Sequence, residues 1–246
     1  MPDKSCLVSR LSRFVDLSEG EMAFVARMER NERFVSSGQA LHEIGDPVQN
    51  LYVLKYGWAV VRSAEVRGRS QILRIYLPGE VIGLAEVGRG EALHRLVMQT
   101  DGTVCPFPRT AIAEMFKEAP RLSALLTSIS SLDQLSLRQR VVALSRMTAE
   151  HRMIEFLITL RDRLDIARVG NNNRFQLPFS QSEIGDFLGL TPVYVNKLMR
   201  KLREEGRIEV DRPYVRILDR EGMERQVGYS RIFDSIDTSW FPPAAA

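Results

Sequence analysis

Thiols and imidazoles are scarce in this chain, with two cysteines (Cys6, Cys105) and three histidines (His42, His94, His151) in 246 residues. The cysteines lie far apart and form no CxxC pair. A disulfide framework is therefore implausible, and a four-cysteine iron–sulfur or zinc site is arithmetically excluded. The histidines are too scattered along the chain to suggest a metal set, so no metal and no cofactor is expected. No apolar run is long enough to span a bilayer, and the opening stretch MPDKSCLVSRLSRFVDLSEGEM is too polar for a secretory signal. A cytoplasmic protein without a membrane partner is expected. Strong net charge is lacking as well. At +3, a polyanion would have to be met by a local basic surface, not a global field. The P-loop, the Gly-rich dinucleotide fingerprint, HExxH and GxSxG are all missing. Glu80 and Glu86 near a glycine turn make a weak carboxylate pair, and no catalytic residue is assigned.

What the chain does contain is concentrated in residues 179–206, FSQSEIGDFLGLTPVYVNKLMRKLREEG. Ser180 and Glu183 have capping-box spacing, and Gly189 ends the first helix. Thr191 and Pro192 restart the chain as an N-cap and a first helical residue. Val195, Leu198, Met199 and Leu202 recur at helical spacing as a face to bury. Val193, Asn196, Lys197 and Arg200 point roughly opposite. From Pro192 to Arg203 there are four basic residues and no acidic one. This combination predicts a helix-turn-helix whose second helix enters the DNA major groove. Two amphipathic helices joined at a glycine, with a merely solvated basic face, are the plainer alternative. Arg207–Val210 and Tyr214–Leu218 read as strands around the turn Asp211-Arg212-Pro213, a wing that would bring Arg212 near a phosphate.

Between Glu32 and Phe107, short alternating runs punctuated by glycine predict a small antiparallel barrel or sandwich. Leu51–Leu54 and Trp58–Val61 read as a hairpin, and a further turn is expected at Arg67-Gly68-Arg69. A short helix is predicted over 110–117 and a long one from Pro120 to about Leu144. Leu122, Leu125, Ile129 and Leu132 repeat at alternating spacings of three and four along it. That seam suits a helix pair across a dimer axis, the alternative being packing against the protein's own barrel. The seam falters after Leu135, where Ser136 and Gln139 take apolar positions. Thr148 caps a further helix carrying Met153, Leu157, Leu160 and Leu164, followed by the polar loop 170–173. Glu221–Gly228 is expected to form a short helix, and 229–246 to be a disordered tail.

This order resembles the Crp/Fnr superfamily of bacterial transcription regulators over roughly residues 10–220. IGDPVQNLYVLKYGWAVV (44–61), IYLPGEVIGL (75–84) and QSEIGDFLGLTPVYVNKLMRKLREEG (181–206) carry the likeness. The resemblance implies an α+β chain with four parts. They are a cyclic-nucleotide-binding-type β-roll with flanking helices (1–119), a dimerisation helix and hinge (120–147), a winged helix-turn-helix (148–228) and the tail (229–246). It implies a homodimer on double-stranded DNA, with Val193, Asn196 and Lys197 at base edges. Ser180, Gln181, Thr191, Arg200, Lys201 and Arg212 would meet phosphates, which orient rather than specify. Lysine suits guanine, asparagine suits adenine, and valine can meet a thymine methyl. The family usually has glutamate in place of Val193 and arginine in place of Lys197, so the resemblance does not by itself imply its TGTGA- or TTGAT-like half-site. RNA polymerase is an expected partner, touching Val169–Arg174 by analogy.

The effector cassette departs from the family pattern. Cyclic AMP-binding members resemble GExxGEL followed by Arg-Ser, with the glutamate on the ribose hydroxyl and the arginine on the cyclic phosphate. Here Gly83 fits, but Leu84 takes the glutamate's place, and ungapped alignment puts Ala92 and Leu93 at the Arg-Ser pair, with Arg89 or Arg95 able to substitute only if the loop is gapped differently. Each lost charge-assisted hydrogen bond is worth roughly 1.5–3 kcal/mol. The expected protein is a FixK-like regulator that does not depend on cyclic AMP. The alternative is a ligand-gated relative sensing an unidentified small molecule or a redox signal. Cys105 on a barrel strand is read as a structural thiol, with a sensor role as the lesser option.

Overall fold

The computed structural model describes residues 5–66, 68, 70–167 and 173–244. The chain forms two compact units, Met1–Asp133 with Ser235–Ala246, and Gln134–Asp234. The first opens with helices α1 (Cys6–Leu11) and α2 (Glu19–Met28), the latter started by a Ser18/Glu21 capping box. Eight strands follow: β1 (Arg33–Val35), β2 (Ala40–His42), β3 (Asn50–Tyr56), β4 (Ala59–Arg62), β5 (Ile72–Tyr76), β6 (Val81–Ile82), β7 (Arg95–Met98) and β8 (Gly102–Pro108). They build two antiparallel four-stranded sheets, ordered β1-β8-β3-β6 and β2-β7-β4-β5. Helix α3 (Ala111–Glu118) and the start of α4 (Pro120–Arg146) complete the unit.

The expected hairpin at Lys55-Tyr56-Gly57 does not form, because β3 and β4 belong to different sheets. The crossing is tight. Gly57 has φ of 88°, and a Cβ there would stand 2.6 Å from the Asp101 carbonyl oxygen. The Trp58 N–H donates to Thr100 Oγ1 at 3.0 Å, holding the crossing against the β7–β8 turn. β3 is also covered on both faces. Leu51 and Val53 join the cluster under α1, α2 and α3, whereas Tyr52 and Leu54 point between the sheets. In the turn expected at 67–69, Arg67 and Arg69 lie outside the described residues.

The dimer seam also needs correction. Leu122 and Leu125 are 1% and 0% exposed, packed with Leu7, Leu11 and Phe24 of their own unit. Ile129 is half-buried against the same cluster, and Leu132 is half-buried. The stripe is real, but its first turns cover the chain's own β-roll, so Leu122 and Leu125 cannot meet a second subunit. The tail departs from expectation too. Ile236 and Phe241 pack on that cluster, Trp240 meets Phe241 edge-on at 4.9 Å, and in the second unit Phe233 is buried. Apolar anchors of this size order a segment that composition alone marks as loose.

In the second unit α4 runs on to Arg146, and Thr148 caps α5 (Ala149–Ile166) by accepting from the His151 N–H at 3.2 Å. Met153, Leu157, Leu160 and Leu164 form its buried stripe. Then come β9 (Arg174–Gln176), α6 (Gln181–Leu188), α7 (Pro192–Glu204), β10 (Ile208–Asp211), β11 (Tyr214–Ile217) and α8 (Arg220–Val227). The wing is a three-stranded sheet, β10-β11-β9, with an unexpected third strand from Arg174-Phe175-Gln176. Of the loop Val169–Arg174, only Asn173 and Arg174 lie among the described residues. Asp162 of α5 is buried, and burial raises its carboxyl above the usual range. Arg220 and the Tyr229 hydroxyl, 2.9 Å away, oppose that rise.

Candidate nucleic-acid interface

The interface starts from two caps. The Ser180 N–H donates to Glu183 Oε2 at 2.8 Å, and the Glu183 N–H donates to Ser180 Oγ at 3.2 Å, closing a capping box on α6. Gly189 ends α6 in the left-handed region. Within α6, a Cβ on Gly185 would stand 2.5 Å from the Leu190 carbonyl oxygen, so the turn closes on a residue without a side chain. Thr191 accepts from the Tyr194 N–H at 3.3 Å, and Pro192 starts α7. Val195, Leu198 and Leu202 are buried and Met199 is half-buried, fixing which face α7 turns inward. Val193 is left 81% exposed, and Asn196, Lys197, Arg200 and Arg203 are exposed with it.

The helix-turn-helix is held to α4 by a contact the sequence did not suggest. Arg140 donates to the Phe187 carbonyl at 2.7 Å and stacks on the Phe187 ring at 3.8 Å. Burial lowers its guanidinium to about 10. The failing seam after Leu135 was the available signal, since there the helix changes what it packs against.

A groove of about 980 Å³ runs between α7 and the wing, lined by Gln181, Asn196, Arg200, Arg203, Arg212 and Tyr214 among others. It gathers five of the expected DNA-contacting residues, Ser180, Gln181, Asn196, Arg200 and Arg212, on one open surface. Val193 and Lys197 stand on the exposed face of α7 without lining it. Arg200 has a loose exposed partner in Glu204 at 3.7 Å. Among the described residues, no carboxylate pairs with Lys197 or Arg203. The Lys197 ammonium lies 5.9 Å from the Tyr194 ring.

Two expected phosphate contacts do not fit. Ser180 spends its backbone N–H and its hydroxyl proton on Glu183, the latter at 2.9 Å, leaving no side-chain donor for DNA. Lys201 turns toward α5. Its ammonium pairs with Glu150 and, at 3.6 Å, with Glu205. The hydrogen bond from Lys201 holds the Glu150 carboxyl below its usual range. Lys201 thus ties α7 to α5. Thr191 Oγ1 accepts the capping bond described above.

Part of the β-roll cassette packs against its own unit. Gly83 has φ of 100°, and a Cβ there would meet Leu51 Cδ2 at 2.7 Å. Leu84 packs on the core, Ala92 is buried and Leu93 is half exposed. The Ala92 N–H donates to the Asp46 carbonyl at 2.9 Å, and its own carbonyl accepts from the Gly45 N–H at 2.9 Å. Glu80, 5% exposed, accepts from Arg10 at 2.8 Å and lies 3.4 Å from Arg74. Arg74 also meets Asp133 on α4 at 2.7 Å. Burial, with Asp133 and Glu80 adding to it, pushes the Tyr76 hydroxyl beneath that cluster up to about 12 against the pull of Arg74.

Two histidines that looked scattered meet one carboxylate. Glu86 lies 3.3 Å from His42 Nε2 and 3.8 Å from His94 Nδ1. Among the described residues no group suited to hold a metal ion occurs. Cys105 is fully buried, and burial, with Glu29 and Glu32 nearby, pushes its thiol up to about 11, which leaves it poorly reactive. Among the described residues, no helix is long and apolar enough to cross a membrane.

Comparison with known proteins matches both units. Residues 151–226 fit a Crp-like helix-turn-helix domain, and residues 32–119 fit a cyclic nucleotide-binding domain. The chain is 30% identical over 222 residues to the transcriptional activator protein FnrA of Stutzerimonas stutzeri, covering 89% of this chain and 90% of that one. It is 26% identical over 225 residues to the transcriptional regulatory protein btr of Bordetella pertussis, covering 91% and 92%. Among solved structures, FixK2 from Bradyrhizobium japonicum superposes with a TM-score of 0.71 at 21% identity, over 79% of this chain and 96% of that one.

Proposed function

Since the chain belongs to the Crp/Fnr family of DNA-binding transcription regulators, we propose that it acts in the cytoplasm as a homodimer on a palindromic duplex site, without cyclic AMP. Each α7 lies in a major groove, the two about one helical turn, ~34 Å, apart. The observation that carries this reading is the exposed face of α7. Val193, left 81% exposed beside a lysine with no carboxylate partner among the described residues, suits a partner that offers both methyl groups and negative charge. The major groove supplies thymine methyls, base acceptors and flanking phosphates. Val193, Asn196 and Lys197 read bases, whereas Arg200, Arg203 and Arg212 orient the duplex.

Dimerisation falls to a different stretch of α4 from the one first expected. Leu135, Leu137, Val141 and Val142 are 43% to 67% exposed, and Leu135 and Val142, seven residues apart, share a face. Effector independence rests on the cassette, where Leu84 offers a ribose hydroxyl no carboxylate, Ala92 and Leu93 offer a cyclic phosphate no charge, and Arg95 is engaged by Glu43 at 2.9 Å. RNA polymerase is the expected protein partner by analogy with the family. No catalytic role is assigned.

The test is selection of binding sites from random duplexes by the purified protein with no ligand added, repeated with cyclic AMP. The expected result is an inverted repeat with half-sites one turn apart, unchanged by the nucleotide. Selection of no sequence, or a motif recovered only with cyclic AMP, contradicts the proposal.

A further inference from the structure

We infer that Gln181, on the first helix of the motif, fixes the base preference of Asn196 on the second and so acts as a specificity-positioning residue. This rests on the reading that α7 enters the major groove. Gln181 is the first residue of α6, its backbone held by the Ser180/Glu183 capping box. From there its half-buried side chain reaches across to α7, and its Nε2 donates to Asn196 Oδ1 at 3.0 Å.

The terminal torsion of an asparagine is broad and nearly two-fold, so an exposed amide can present oxygen or nitrogen to either side. Adenine accepts one presentation, with amide oxygen toward N6 and amide nitrogen toward N7. The inverted amide sets donor against donor and acceptor against acceptor. The bond from Gln181 removes that choice. It occupies one lone pair of Oδ1 on the α6 side and leaves the other lone pair and both Nδ2 hydrogens for the duplex. Asn196 then has one face to show. Among the described residues Lys197 has no such hydrogen-bonded support; its ammonium lies 5.9 Å from the Tyr194 ring of its own helix. A phosphate contact is the weaker role for Gln181, because one of its two amide hydrogens is already committed.

The test compares site selection and affinity for the wild type, Gln181→Ala, Asn196→Ala and the double variant. Asn196→Ala should erase the preference at one base pair per half-site. Gln181→Ala should reduce discrimination at that same base pair by about fivefold or more. Preference at the other base pairs and the melting temperature should stay at wild-type values, and the double variant should lose no more discrimination than Asn196→Ala alone. Gln181→Glu, which can only accept, should turn the Asn196 amide around and change the base selected there. A uniform loss across all sequences with a shallower salt dependence would make Gln181 a phosphate contact and overturn the inference. So would an unaltered preference at the Asn196 position. A wild type that selects no sequence at all defeats the DNA-reading function itself, and the inference with it.

Discussion

The β-roll and the recognition helix handle charge in opposite ways. In the β-roll, Arg10, Glu80, Arg74 and Asp133 form a chain of ion pairs, two of its members only 5% exposed, and each cation has a carboxylate within 3.4 Å. On α7, Lys197 and Arg203 stand in solvent with no carboxylate partner among the described residues, and Arg200 has one loose partner. Charges that neutralise one another inside a fold are already compensated. Cations left unpaired on one face are available to a polyanion. Both units match the family, and in this chain the charge cluster of one is internally paired, whereas the exposed face of the other keeps cations without a carboxylate among the described residues.

The contrast breaks most severely at Glu80. Glu80→Ala strands Arg10 in the interior and leaves Arg74 with Asp133 alone. Losing one partner of a buried pair costs about 3–5 kcal/mol. Thermal or denaturant unfolding should show that loss, while protein that remains folded keeps its DNA preference. A destabilisation below about 1 kcal/mol would mean that the cluster is solvated and the contrast false. Arg200→Ala sits at the other end of the scale. Stability should hardly change, because an exposed i,i+4 pair contributes little. Affinity should fall for every sequence alike, and the slope of log affinity against log salt should drop by about one. A change confined to one base pair would move Arg200 into the base-reading set.

The helix-turn-helix was legible because its signals are local. Ser180, Glu183, Gly189, Thr191 and Pro192 act on residues within a turn of themselves, and each stands where its spacing put it. Leu122 and Leu125 could be read as an apolar stripe, but period alone does not say what covers it, and the cover came from α1 and α2, distant in sequence. The supposed hairpin at Gly57 failed for a related reason. LYVL is apolar on both faces, so alternation could not reveal which sheet β3 joins. Lys201 shared the basic character of its neighbours but found Glu150, fifty-one residues away. The meeting of His42 and His94 on Glu86 and the anchoring of the tail by Phe233 and Phe241 are likewise long-range facts that no spacing rule encodes.

The central claim is that α7 reads base edges with its exposed face, and Lys197→Ala tests it most directly. Competition binding on the selected site and on its single-base variants, at fixed salt, should show discrimination at one base pair falling by about 1–3 kcal/mol. Binding to random duplex should weaken far less. An unchanged footprint with unchanged preference at every position would show that this face does not read DNA.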